Sequence, residues 1–149
     1  MATAITSAIL AASVGDVWEL LGDFNGWPLF LPRIAASTLD AGSGRGPVGA
    51  VRVLTLSDGS TIRERLVDYD QSCHELAYVF DGQHPFPVRR YTGRIQLFPL
   101  TETGDTYVYW TGTFDCDAAD EEKVALGFCR TYAAFLADLG TYLKRPTSR

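Results

Sequence analysis

Ser57-Asp58-Gly59-Ser60-Thr61-Ile62-Arg63-Glu64-Arg65-Leu66-Val67 reads as a tight turn followed by a strand. Asp-Gly between alternating segments is a strong hairpin signal, since glycine takes the backbone conformation such turns demand. Side chains alternate across a strand with period two. Arg63 and Arg65 therefore share one face, and Ile62, Glu64 and Leu66 share the other. The face with two arginines is the solvent face, which sends Glu64 inward between two aliphatic side chains. A buried carboxylate without a partner is costly. Chains keep such an acid where it is paired or put to use.

On both sides of this hairpin, everything from Ile34 to Cys116 reads as strand and turn. The expected strands are 34–40, 49–57, 60–70, 75–81, 88–98 and 106–116. Their connections are short, and an antiparallel meander follows. Ala41 to Gly49 is a Gly-rich connection, and Gly42-Ser43-Gly44-Arg45-Gly46 within it lacks the Gly-Lys-Ser/Thr ending of a phosphate loop, so it reads as a turn. Upstream, residues 3–10 alternate as a first strand. Ser13 to Asp16 fits a helix capping box, with Val17, Leu20, Leu21 and Phe24 following at helical spacing. Asn25-Gly26-Trp27-Pro28 stops that helix, and a second short helix or turn runs through Leu29-Phe30-Leu31 to Pro32.

After residue 118 the period changes. Val124, Phe128, Tyr132, Phe135, Leu136, Leu139 and Leu143 recur every three or four residues. Early acids (Asp120, Glu121, Glu122) and late bases (Lys144, Arg145) suit a helix dipole. At ~1.5 Å per residue such a helix is roughly 40 Å long. The expected fold is α+β: a curved seven-stranded antiparallel sheet wrapped around a long C-terminal helix, with two short helices after the first strand. The whole chain, 1–149, reads as one domain. The sheet must cover its apolar face, and the long helix is the element able to do so. The gap between them is a natural place for a ligand.

Composition narrows the function. The 149 residues are 46% hydrophobic and 21% charged, as in ordinary globular proteins. A net charge of −5 argues against nucleic acid and anionic membranes. No apolar run is long enough to span a bilayer. The first ten residues lack the basic start of a signal peptide. Cys73, Cys116 and Cys129 form an odd set without CxxC, so the expectation is a reducing cytoplasm and no disulfide framework. His74 and His84 have no partner at zinc spacing, and no metal or cofactor is expected.

Repeating the alternation argument strand by strand collects the inward polar side chains Arg52, Glu64, Tyr78, Tyr91 and Trp110, with Asp68 sharing the parity of Glu64. A few polar groups within an apolar shell is how small-molecule pockets are built. Arginine can neutralise a buried glutamate or hold an oxyanion. Glutamate can serve as general acid or base, and tyrosine can donate to a developing oxygen charge. Each residue also has a plainer reading. Arg52 and Glu64 can be a structural ion pair. Tyr78, Tyr91 and Trp110 can be core aromatics whose polar atoms find partners. Gly93 and Gly112 can be bulges. Trp27 and Phe30 can gate a pocket or plug a helix corner. The Pro-stiffened loop Gly82 to Pro87 is a candidate pocket rim, with His84 read as solvated.

These residues carry a resemblance. Val17-Trp18-Glu19-Leu20-Leu21-Gly22-Asp23-Phe24, Gly49-Ala50-Val51-Arg52, Arg63-Glu64-Arg65-Leu66-Val67 and Val108-Tyr109-Trp110 resemble the START-like helix-grip superfamily (SRPBCC), and within it the polyketide cyclase/dehydratase branch. The resemblance spans nearly the whole chain and implies the helix-grip fold. The superfamily holds lipid carriers, hormone receptors, pollen allergens and cyclases, so the reaction is not implied with it. The site is similar to that of the lachrymatory factor synthases, which rearrange a small sulfenic acid. Their Gly-x-Val-Arg arginine falls on Arg52, and their Lys-Glu-Lys-Leu glutamate falls on Glu64. Two of their pocket tyrosines fall on Tyr78 and Tyr91. The segments around Trp27 and Gly82 to Pro87 differ, so the substrate does not carry over.

The resulting expectation is a cofactor-independent enzyme of the cyclase, dehydratase, lyase or isomerase kind, acting on a small apolar molecule. Glu64 would be general acid/base, Arg52 its charge partner or a hold on substrate oxygen, and Tyr78 and Tyr91 the orienting groups. Trp27, Phe30, Leu54, Phe80, Trp110, Phe128 and Tyr132 would line the pocket. Two other readings stand beside it: a carrier or sensor of a hydrophobic ligand, and an interaction module using the outer arginines Arg63, Arg65, Arg90 and Arg94. Monomer and homodimer are both open.

Overall fold

The computed structural model describes residues 1–42 and 47–146. The expected turn at Gly42 to Gly46 falls for the most part outside them. The elements are β1 (Ala2–Leu10), α1 (Val14–Leu21), a 3₁₀ turn (Trp27–Leu29), β2 (Ile34–Leu39), β3 (Val51–Leu56), β4 (Thr61–Asp70), β5 (Glu75–Phe80), β6 (Arg90–Pro99), β7 (Thr106–Asp115), a second 3₁₀ turn (Ala118–Asp120) and α2 (Glu121–Leu143). The strands form one antiparallel sheet in the order β1-β7-β6-β5-β4-β3-β2. The expected meander is therefore present, and β1 adds to its far end beside β7.

Local chemistry fixes the boundaries. Ser13 caps α1, its Oγ accepting from the Asp16 N–H at 3.2 Å. Val17, Trp18 and Leu21 are the buried face of that helix. The second short helix is a single 3₁₀ turn that begins at Trp27, earlier than Leu29. Pro28 explains the shift, because a proline needs no N–H in the first helical turn. Trp27 is tied down by its indole N–H, which donates to the Leu21 carbonyl at 3.1 Å. The 23 residues of α2 make a rod of roughly 35 Å. Its buried stripe, Phe128, Tyr132, Leu136 and Leu139, faces the concave side of the sheet within one contiguous apolar core. No helix among the described residues is long and apolar enough to cross a membrane.

Two details correct the sequence reading. Asp68 is not inward. A register shift between Leu66 and Asp68 inserts one extra residue, so the parity flips and Asp68 accepts from Arg94 at 2.9 Å on the outer face. Nor are Gly93 and Gly112 bulges. They sit opposite one another in regular register. Their missing side chains give room to aromatic rings instead: a Cβ on Gly93 would overlap the Tyr78 ring, and one on Gly112 would overlap the Tyr132 hydroxyl and press on Tyr91. Gly93→Ala is accordingly expected to lower stability by about 1–3 kcal/mol through overpacking. A urea melt checks this, and an unchanged midpoint would mean that Tyr78 has another place to go.

Candidate active site

Register places the charged pair. Arg52 on β3 lies directly opposite Glu64 on β4, and Glu64 lies opposite Phe80 on β5. Arg52 Nε and Nη2 donate to the same carboxylate oxygen, Glu64 Oε2, at 2.9 and 2.6 Å. The third arm, Nη1, donates to the Phe24 carbonyl just beyond α1. The guanidinium carbon stands 3.9 Å from the centroids of both the Phe24 and the Trp27 rings. Arg52 is thus fully buried, clamped between two aromatic faces and hydrogen-bonded on all three nitrogens.

Glu64 is 6% exposed, and that remainder matters. It lines a cavity of about 290 Å³, whereas Arg52 does not. Its hydrogen bonds all fall on Oε2. Among the described residues no fully buried side-chain oxygen lacks a partner. Oε1 is therefore the oxygen that meets the cavity, and it carries no hydrogen bond from the protein. A carboxylate with one oxygen anchored and the other presented to a cavity can take or give a proton in fixed geometry.

The rest of the wall is mostly aromatic. Trp27, Leu54, Tyr78, Phe80, Tyr91, Phe128 and Tyr132 line the cavity. Phe80 stacks on Tyr91 at 4.3 Å, and Tyr91 leans on Phe128 at 4.8 Å. The Tyr91 and Tyr132 hydroxyls bond to each other. The Tyr78 hydroxyl accepts from Trp110 Nε1 at 3.1 Å. An indole nitrogen can only donate, so the bond to Trp110 does not use the Tyr78 proton.

Phe30 and Trp110 stand elsewhere. Phe30 packs near Tyr142, ring centroids 6.3 Å apart, over a separate surface dent, which is the plug reading. Trp110 lies behind Tyr78 and positions it. Ile34, Leu56, Ile62, Phe86 and Phe135 also line the cavity, with Arg33, Ser57, Asp58 and Thr131 around them. Leu56 and Ile62 share the parities of Arg52 and Glu64, so alternation contained them. Phe86 sits in the proline loop, where no period exists to signal it. His84 is half-buried and not simply solvated: its ring lies 4.5 Å from Phe80, and its Nδ1 accepts from the Phe86 N–H at 3.3 Å.

The outer arginines are matched by acids. Arg63 pairs with Asp40 and Asp81, Arg65 with Asp81, Arg90 with Asp115, and Arg94 with Asp68 and Glu75. That face is a ladder of exposed and half-exposed pairs. Among the described residues no cluster of three potential metal ligands occurs.

Burial, chiefly, pushes the Tyr78, Tyr91 and Tyr132 phenols above the ordinary tyrosine range, and the negative charge of Glu64 adds to it at Tyr78. They are neutral donors at any physiological pH. Unfolded tyrosines ionise near pH 10, and the folded ones do not until higher pH. Their contribution to stability is complete below about pH 10 and is lost progressively above it. Urea midpoints measured between about pH 8 and about pH 11 should decline above 10, less steeply when all three are phenylalanine. A flat profile would show that these rings are not held neutral.

The chain is similar over residues 1–144 to the family described as polyketide cyclase / dehydrase and lipid transport. Among solved structures, an uncharacterized protein from Bacillus thuringiensis is 34% identical with a TM-score of 0.84, over 95% of this chain and 98% of that one. The protein XoxI from Bacillus cereus is 36% identical with a TM-score of 0.81, over 95% of each chain. The di-domain ARO/CYC protein BexL, from the BE-7585A biosynthetic pathway, is 15% identical with a TM-score of 0.82, over 97% of this chain and 47% of that one, a likeness of fold alone. Among curated proteins none matches.

Proposed function

The chain belongs to the polyketide cyclase/dehydrase and lipid transport family, and from that premise we propose that it is a cofactor-independent enzyme of the cyclase, dehydratase or isomerase kind, with Glu64 as its proton-transferring group. The observation that carries this reading is the asymmetry of the Glu64 carboxylate: Oε2 holds both Arg52 bonds, and Oε1 is presented to an aromatic cavity.

In this reading a small apolar substrate lies among Phe80, Tyr91, Phe128 and Tyr132, with an acidic C–H beside a carbonyl directed at Oε1. Glu64 removes that proton, and the electron pair of the C–H bond moves toward the carbonyl carbon. The oxygen that gains charge is met by the Tyr78 O–H, whose acceptor side is already occupied by Trp110. The proton on Glu64 is then returned. Delivered to another carbon it completes an isomerisation. Delivered to a β-hydroxyl it releases water and completes a dehydration. Glu64 ends each cycle as a carboxylate. Arg52 touches no cavity space, so it acts as a positioning residue that fixes Oε2 and balances the charge, and not as a hold on substrate oxygen.

The cavity's volume lies at the lower edge of the range for small-molecule sites, roughly 300–1,000 Å³. That supports a substrate part no larger than one or two rings beside Glu64. The test is Glu64→Gln, assayed for turnover and for ligand binding together. Loss of turnover with binding retained supports the enzyme. Ligand binding with no turnover in either protein makes the chain a carrier.

A further inference from the structure

Beyond the rings of Phe86 and Phe128 lies a second depression, of about 430 Å³. It shares Phe86, Phe128 and Thr131 with the inner cavity as common walls. Its own floor is the first half of α2, at Val124 and Gly127, and Lys123 and Asp120 stand at its lip with opposite charges. The partition between the two spaces is the aromatic pair Phe86 and Phe128, centroids 5.5 Å apart.

Gly127 is the informative residue. It stands inside a helix, where glycine is destabilising by roughly 0.5–1 kcal/mol relative to alanine. A Cβ there would meet nothing within 4 Å, so no close neighbour requires its absence. Its backbone is ordinary helix, so no positive φ requires it either. Gly127 is exposed and lines the outer space with backbone alone, so a large side chain placed there would occupy it.

We infer that the ligand is an extended molecule occupying both spaces: a polar head at Glu64 in the inner cavity, and an apolar tail that runs past Phe86, Phe128 and Thr131, the wall the two spaces share, to lie over Val124 and Gly127. The inference rests on the reading of the inner cavity as the ligand site, and it adds a tail subsite that determines chain length. The opposed charges at the lip carry no net preference for an anion or a cation, so the tail is recognised by its apolar surface.

The test uses 4-alkylphenols, from methyl to nonyl, followed by quenching of tryptophan fluorescence, since Trp27 lines the inner cavity. The phenol O–H supplies a donor for Oε1. In the unmodified protein, affinity should climb by about fourfold per methylene beyond the length that fills the inner cavity. Gly127→Trp should weaken 4-nonylphenol by about tenfold or more, as several methylenes lose their burial, and leave 4-methylphenol unchanged. Gly127→Leu should fall between them. Both changes favour helix, so the fold is expected to persist, as circular dichroism would verify. If Gly127→Trp leaves every alkylphenol unaffected, or weakens short and long equally, the tail subsite is wrong while the inner site stands. If no alkylphenol binds, both fall.

Discussion

Glu64→Gln is expected to lower turnover by about 10²–10⁴, the usual contribution of a general acid or base, and to leave ligand affinity within a few-fold of the original. An amide is isosteric with the carboxylate and still offers Arg52 an oxygen at the Oε2 position, but it cannot accept a substrate proton. The substitution also leaves the Arg52 charge without a countercharge, among the amide oxygen, the Phe24 carbonyl and the ring faces of Phe24, Trp27 and Tyr78. A urea melt therefore has to accompany the assay, which is run well below the transition. Glu64→Asp supplies the complementary measurement. It keeps charge and basicity and withdraws the reactive oxygen by one methylene. Displacements of about 1 Å cost on the order of 10²-fold, so partial activity above that of Glu64→Gln is expected. Turnover of Glu64→Gln at the original rate would remove Glu64 from the chemistry.

Arg52→Met destabilises the fold by about 3–5 kcal/mol, the cost of stripping one partner from a buried ion pair. Methionine replaces much of the stem that packs between Phe24 and Trp27, so the loss is mainly that of the charge and its hydrogen bonds. The abandoned groups are Glu64 Oε2 and the Phe24 carbonyl. Replacing both partners is a different matter. Arg52→Met combined with Glu64→Leu removes both charges, and apolar substitutes for a buried pair are often neutral or stabilising. The double variant is expected to recover to within about 1 kcal/mol of the original in urea unfolding. Recovery would show that the pair is kept for a task and not for stability. A double variant as unstable as Arg52→Met would locate the energy in the arginine's contacts with Phe24 and Trp27.

Alternation was informative wherever the pleat is regular. It placed Arg52, Glu64, Tyr78 and Tyr91 on one side of the sheet, because β3, β5, β6 and the first half of β4 keep strict register. It failed at Asp68 because a single extra residue before it inverts parity, and no residue type in Leu66-Val67-Asp68 announces that bulge. It could say that Trp110 points inward, but not that Tyr78 stands between it and the cavity. The roles of Gly93 and Gly112 depend on rings delivered by β5 and α2, which a local reading of β6 and β7 does not contain. Phe86 lies in an aperiodic loop, and its place in the wall exists only once α2 has brought Phe128 beside it.

The pairing of β1 with β7 sets a timetable for the nascent chain. Leu10 meets Thr106, and Ala2 meets Phe114. Of the seven strands, β1 is made first and its partner β7 last, so β1 waits while the other five are synthesised. Until then it carries two open edges, the condition under which strands recruit wrong partners. The back wall of the cavity, Phe128 and Tyr132, is synthesised later still. Contacts this distant in sequence slow folding. β1 cannot pair until β7 has been made, and a chain cut short before β7 leaves β1 unpaired. Its yield in the cell would depend on chaperones that shield such edges.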